Sequence, residues 1–367
     1  MFDASHPREK PCGGGVTARA LDIVTDAIAP GTLPSVAITS ATFEHGGQVV
    51  DMMLGDRPDR APLLAVVSRR VFDEALLAAA VESGALLIRS RVRRIAAAPA
   101  GWTLESDSAP VQADWLLGAD GPTSLVRRTV RTPFARRDLS IATGFYVHGR
   151  TSSTISIAFE DAPPGYLWSF PRPDHLAVGA CAQADQASPP ALLAIVSSWI
   201  QRNVVPGARL EKYSWPIPSL GAEALDREEP SGPGWLLLGD AGGMVDPITR
   251  EGIYFALASG DAAAASLAQH DGTSRLYGER IRDTVHAELR RAAALKARFF
   301  SPHFTALLIE ALRSSAGIRD VMTDLISGTQ PYRGLRRRLL RTGEARLGLR
   351  LMMKMASSQW PPGTGNS

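Results

Sequence analysis

The chain has 367 residues, 45% of them hydrophobic and 21% charged, which are the proportions of a globular protein long enough for one large domain or two closely joined ones. Its 40 basic and 37 acidic residues leave a formal net charge of only +3, so no global field recruits nucleic acid. The first twenty residues lack the order of a signal peptide, and no window reaches about 18 uninterrupted apolar residues, which excludes a membrane-spanning helix.

Taken in chain order, residues 17 to 29 are expected to form a helix that stops before "PGTLPS", where Pro30, Gly31 and Pro34 break it. Short strands joined by the "EHGGQ" turn are expected between about 35 and 54. "SRRVFDEALLAAAVESG" has the spacing of a helix, with Phe72, Leu76, Leu77 and Ala80 on one face and Gly84 at the C-cap. "ALLIRSRVRRI", "WTLES" and "PVQADWLLGADG" follow as strands, and the strand, helix, strand order suggests a parallel sheet. From about 138 to 182 the aromatic and β-branched runs come at hairpin spacing, which predicts an antiparallel sheet. "PPALLAIVSSWIQRNV" returns to helix, "GWLLLGDAGG" is a buried strand entering a glycine turn, and helices are expected from there to about 355. The tail "SQWPPGTGNS" has the composition of a disordered segment.

Three separated segments carry a shared signal: "WLLGADGPTSLVRR", a hydrophobic strand followed by G-A-D-G-x-x-S-x-x-R over Gly118 to Arg127; "WLLLGDAGGMVDPITREGI", a strand, then Gly239-Asp240, then a helix starting near Gly252; and the opening "PREKPCGGG". Between the first two lies "PPGYLWSFP", Pro163 to Pro171. Each alone is weak, but their order and spacing together resemble the FAD-dependent oxidoreductases related to aromatic hydroxylases. Within these, the P-x-x-Y-x-W-x-F-P pattern is similar to the geranylgeranyl reductase family. The resemblance covers residues 1 to about 270. It implies an incomplete Rossmann-like FAD-binding α/β domain (1–137 plus 228–270), an inserted antiparallel β-sheet substrate domain (138–227), a helical C-terminal region (271–356) and a disordered tail (357–367).

The resemblance also implies roles. Asp240, after Gly239 at the end of a buried strand, would accept charge-assisted hydrogen bonds from the ribityl chain. Asp120 and Gly121 would close the loop beside the cofactor, and Pro247 would border the ring. The helix starting near Gly252 and Ile253 would aim backbone N–H groups at the pyrimidine edge, where negative charge gathers on reduction. Asp3, Arg8, Cys12, Gly13, Gly14 and Arg69 complete the expected cofactor-binding set, and Tyr166, Trp168 and Phe170 the wall of the substrate cavity. Plainer readings stand beside several of these. Asp240 and Asp120 could be turn or capping carboxylates, and Arg69 an exposed residue at a helix start. Cys12 could be an inert packed thiol, and the aromatic trio one face of a half-buried strand. Arg250 stands where the family usually has glycine; if that position needs φ > 0, arginine is a poor replacement, and otherwise it sets a cation near the reduced flavin.

In this family a first strand, a G-x-G-x-x-G turn, a helix and a second strand ending in an acidic residue bind the ADP half of FAD. Asp3 occupies the equivalent of that acidic position, so about 30 residues are expected ahead of Met1. The glycine triplet Gly13 to Gly15 is no substitute, because it follows the acidic residue. Cys12 and Cys181 lie far apart, form no CxxC pair and suit a reducing cytoplasm; the seven histidines show no ligand spacing, and no metal is expected.

The expected reaction is reduction of carbon–carbon double bonds in an isoprenoid or other small apolar substrate, with FAD as cofactor and NAD(P)H or another reductant as electron donor; no catalytic acid is identifiable. The alternatives are an FAD-dependent monooxygenase and a truncated or degenerate flavoprotein without catalysis. Between Tyr332 and Ala356 eight Lys/Arg accompany one Glu, which suits peripheral contact with anionic lipid; around the whole segment, however, the cations scatter over the wheel like those of a solvated helical end.

Overall fold

The computed structural model describes residues 1–54, 63–204 and 206–342. The body is a mixed α/β arrangement with a sheet-rich middle and a helical C-terminal region. Its centre is a seven-stranded sheet in the order Leu210–Pro218, Leu139–His148, His175–Gln183, Pro164–Pro171, Thr154–Asp161, Ser40–His45, Gln48–Met53. All its neighbours are antiparallel except Thr154–Asp161 and Ser40–His45, which run parallel. Alternation decides the two faces. Leu167 turns to the Pro189–Asn203 helix, joining Leu192, Val196 and Trp199, while Tyr166, Trp168 and Phe170 turn the other way.

The hairpin at Ser40–Met53 forms around the expected "HGGQ" turn, with Gly46 and Gly47 both at positive φ. Its place differs from the assignment of residues 1–137 to the cofactor domain: the hairpin closes the edge of the seven-stranded sheet. Phe43, Val50 and Met52 there are buried against Phe304, Leu308 and Leu312 of the Pro302–Ser314 helix.

Other expectations are corrected in part. The first helix covers only Ala18–Ile23, because from Val24 the chain leaves helical geometry and closes a turn through Thr25 Oγ1 on Asp22 O. The region 92–113 is an antiparallel sheet of Val92–Ala98, Gly101–Ser106 and Val111–Ala113, not part of a parallel one; tight turns favour the hairpin connection. Parallel pairing of the expected kind occurs between Leu116–Gly118 and Trp235–Leu237, and as a bridge between Phe2 and Ile88. The Arg69–Glu82 helix ends as read, with Gly84 at φ 98. The proposed tail at 357–367 and the segment 343–356 lie outside the described residues. Among the described residues no helix is long and apolar enough to cross a membrane.

The second core gathers Leu236, Phe255, Tyr277, Ile281 and Leu289 around a π-helical segment, Arg282–His286, that joins two α-helices. His286 is 6% exposed and its Nε2 has no partner among the described residues. Burial lowers its imidazole to about 4, and Arg282 acts in the same direction. Folding therefore favours the neutral ring. That contribution is complete above the ordinary value of 6.5 and is lost as pH falls toward the folded value. Urea unfolding at about pH 7 and about pH 5 is expected to differ by about 2 kcal/mol, and His286→Gln to remove most of the difference.

Candidate functional site

The glycine triplet lies against the aromatic strand, and its lack of side chains is a packing requirement. A Cβ on Gly13 would stand 2.8 Å from Phe170 Cδ2, and one on Gly15 3.0 Å from Phe170 Cε2. Gly14 has φ +85, and a Cβ there would come within 2.4 Å of the Val67 carbonyl oxygen. The loop before the triplet is gripped by Arg172, whose side chain is fully buried. Arg172 donates to the Glu9 carboxylate, to Cys12 O at 2.5 Å and to Gly13 O at 3.4 Å. Glu9 also accepts from Ser68 Oγ at 2.6 Å and Arg69 N at 3.0 Å, and the Tyr146 hydroxyl donates to Lys10 O at 2.7 Å. Arg172 follows the aromatic motif by one residue. Sequence reasoning missed it, since a single arginine before a proline carries no periodic or spacing signal.

A cavity of about 1660 Å³ opens between this loop, the seven-stranded sheet and the C-terminal helices. One end is polar, lined by Asp3, Arg8, Lys10, Arg69 and Asp240; the other is apolar, lined by Phe43, Ile155, Phe304, Leu308, Val321 and Leu339. Tyr166, Trp168 and Phe170 all line it, so the alternation of the strand delivers them to one wall. Tyr166 donates its hydroxyl to Thr249 O at 2.8 Å and stacks on Phe300, with centroids 6.2 Å apart and planes at 9°. Trp168 is 6% exposed and its Nε1 has no partner among the described residues.

Asp3, Arg8, Cys12, Gly13, Gly14, Arg69, Asp120, Gly121, Gly239, Asp240, Gly252 and Ile253 line the same cavity. Pro247 does not. It is buried, and its carbonyl accepts from Arg250, while its neighbours Val245, Ile248 and Thr249 do line the cavity.

Asp240 sits in a 3-10 turn, Gly239–Gly242, and receives no hydrogen bond from another side chain among the described residues. Burial pushes its carboxyl above the ordinary carboxylate value, against the pull of the Lys10 and Arg69 cations. The Ile253–Leu267 helix begins beside it, with no side chain capping the first turn, and a Cβ on Gly252 would meet Asp240 Oδ1 at 3.2 Å. A free carboxylate next to uncapped helix N–H groups offers acceptors and donors to one polar ligand.

Arg69 is not exposed. Its guanidinium binds Asp73 through two bonds of 2.9 Å and faces Cys12. Burial opposes that charge, but Asp73 and Cys12 outweigh it and the shift is upward. Although burial raises Asp73, its bonds with His6 and Arg69 lower it to about 2. Cys12 Sγ accepts from Gly14 N at 3.2 Å while lining the cavity. Asp3 is engaged by its own loop, accepting from Ser5 N at 2.8 Å, His6 N at 3.0 Å and the His6 ring. Burial raises its carboxyl, yet these bonds leave it lowered overall. Asp120 caps the Leu125–Val130 helix, accepting from Leu125 N at 2.6 Å and Val126 N at 3.2 Å, which is its plainer reading.

Arg250 has φ 62, so its position does call for the left-handed conformation, at a cost on the order of 1 kcal/mol for a residue other than glycine. Its guanidinium donates to Ser219 Oγ and Pro247 O and lies 5.9 Å from the Phe300 ring centroid. Among the described residues no three His, Cys, Asp or Glu side chains converge as a metal site would require.

No family model matches the chain. It is 30% identical over 272 residues to an uncharacterized protein of Methanosarcina barkeri, a match covering 71% of this chain and 65% of that one. It is 28% identical over 259 residues to the digeranylgeranylglycerophospholipid reductase of Methanothrix thermoacetophila, covering 64% of each. The chain thus spans a little under two thirds of the length of these relatives. Among solved structures, a geranylgeranyl bacteriochlorophyll reductase-like protein from Thermoplasma acidophilum has the same fold, with a TM-score of 0.72 at 19% identity over 93% of this chain and 92% of that one.

Gly14→Ala is expected to destabilise the protein by about 2 kcal/mol or more, because backbone and not a movable side chain blocks the Cβ. Gly13→Ala meets only the Phe170 ring, and Phe170→Leu is expected to restore most of its loss in thermal unfolding. Arg172→Met strands Glu9 and two carbonyls; urea denaturation is expected to show a loss of about 3 kcal/mol, partly recovered by adding Glu9→Gln.

Proposed function

This chain belongs to the geranylgeranyl reductase family of FAD-dependent oxidoreductases, and from that premise we propose that it reduces carbon–carbon double bonds in an isoprenoid or similar apolar chain. The observation that carries this reading is the continuity of the cavity: one space of about 1660 Å³ runs from the unengaged Asp240 carboxylate and the Gly13 loop into a chamber walled by aliphatic and aromatic side chains. A polar end joined to an apolar one suits an apolar chain whose double bond must meet a redox group away from water.

The residues present fit FAD. In this reading Asp240 accepts from ribityl hydroxyls, and the N–H groups at Gly252 and Ile253 face the pyrimidine edge. Asp3, Arg8, Asp120 and Gly121 line the same cavity and would serve the ADP half. FAD, when bound, supplies the hydride. The chain's own side chains orient and shield. Phe170 fixes the glycine loop, Tyr166 ties its strand to Thr249, and Trp168 adds an aromatic side chain to the cavity wall. Helices between Ala287 and Arg341 line the chamber with apolar side chains.

The purified protein is expected to show a perturbed flavin absorption band on addition of FAD, and Asp240→Ala to weaken FAD binding at least about tenfold, or 1.4 kcal/mol. Anaerobic incubation of the FAD-loaded protein with a chemical reductant and a geranylgeranyl lipid is expected to add two hydrogens per double bond, read by mass spectrometry. Oxygen incorporated under air would instead establish the hydroxylase alternative, and lipid binding without any flavin band would establish a non-catalytic one.

A further inference from the structure

The geometry points to a membrane-docking face on the far side of the apolar chamber: we propose that the outer face of the Leu335–Arg341 helix rests on an anionic phospholipid bilayer. This helix is a wall of the chamber. Leu335 and Leu339, one turn apart, are buried and line the cavity, and Arg338 beside them is tied to Asp324. At about 100° per residue, Arg336, Leu340, Arg337 and Arg341 share the opposite arc of about 140°. All four are exposed, Leu340 to 48%, and Arg333 just before the helix is exposed as well. Over the longer segment from Tyr332 to Ala356 the cations scatter around the wheel; within the folded helix they do not.

Ion pairing distinguishes this patch from three exposed arginines earlier in the C-terminal helices. Arg275, Arg290 and Arg291 each hold a carboxylate at 2.9, 2.7 and 3.5 Å. Arg333, Arg336, Arg337 and Arg341 have no carboxylate within ion-pairing distance among the described residues, and the nearby Asp324 is already taken by Arg338. Four exposed guanidinium groups without a carboxylate partner among the described residues, around one exposed leucine, match a surface of phosphate headgroups with acyl chains just beneath. Nucleic acid would match the charge but not the leucine, and the chain's net charge of +3 offers no wider field to track a polyanion. Docked this way, a single helix separates the bilayer from the chamber, so an insoluble substrate enters the protein where it lies closest to lipid. That last point rests on the proposed function; the docking itself does not.

The test is co-sedimentation of the full chain, with FAD present, on vesicles of phosphatidylcholine alone and of phosphatidylcholine with phosphatidylglycerol. Binding at least tenfold tighter to the anionic vesicles and weakened by added salt is expected. Arg336→Gln, Arg337→Gln and Arg341→Gln combined should remove most of it. Arg275→Gln, Arg290→Gln and Arg291→Gln combined should bind like the parent, with both triple variants matching its unfolding midpoint. Absent binding, equal binding to both vesicle types, equal losses in the two variants, or full displacement of anionic vesicles by duplex RNA would each overturn the proposal. Reduction of detergent-dispersed substrate is read separately. Docking without reduction counts against the proposed reaction alone, and reduction without docking against the membrane face alone.

Discussion

One buried guanidinium holds the two halves of this protein in register. Arg172 leaves the end of an aromatic strand in the seven-stranded sheet and ends, without solvent contact, on the Glu9 carboxylate and the Cys12 and Gly13 carbonyls. A charge so enclosed is tolerated only when its hydrogen bonds are made, so the loop cannot shift without leaving that charge unpaired. Tyr146 and Phe170 add a bond to Lys10 O and a ring against the glycine backbone. The loop beside the proposed cofactor therefore takes its position from the sheet that walls the proposed substrate chamber.

The cavity follows from that arrangement. Its polar end is a balance of charges: Asp73 is held ionised by Arg69, His6 and Lys10, while Asp240 feels Lys10 and Arg69 only weakly against its burial. One carboxylate is consumed by the protein and the other remains available. The apolar end needs three sources, the Ser40–Met53 hairpin, the Thr154–Asp161 strand and the helices after Phe300, and none of them encloses the space by itself.

Arg250 shows the tension between local backbone preference and local contacts. A left-handed residue after the Asp246 turn favours glycine, yet arginine stands there, fastened to Ser219 and Pro247 and lying near Phe300. Its guanidinium is a cation that glycine at this position would not supply, and those contacts hold it in place.

Local signals were legible wherever neighbours along the chain decide the outcome. Gly84, the Gly46–Gly47 turn, the alternation of Tyr166, Trp168 and Phe170, and the Gly239-Asp240 turn running into the Ile253–Leu267 helix could all be read from period and turn chemistry. The motifs also named the family. Other features had no such signature. The hairpin's place in the seven-stranded sheet, where Ser40 pairs with Thr154, and the grip of Arg172 on Glu9 depend on residues far apart in the chain, while the antiparallel sheet at 92–113 and the removal of Pro247 from the cavity depend on which way the chain turns. By itself the sequence determined most of the local elements, the family resemblance and the candidate polar groups, because periodicity and turn residues act over a few bonds. Only the tertiary structure decided which carboxylate stays free, which cation is buried and which helices line the chamber, because hydrogen-bond satisfaction and apolar burial are settled between segments that meet only on folding.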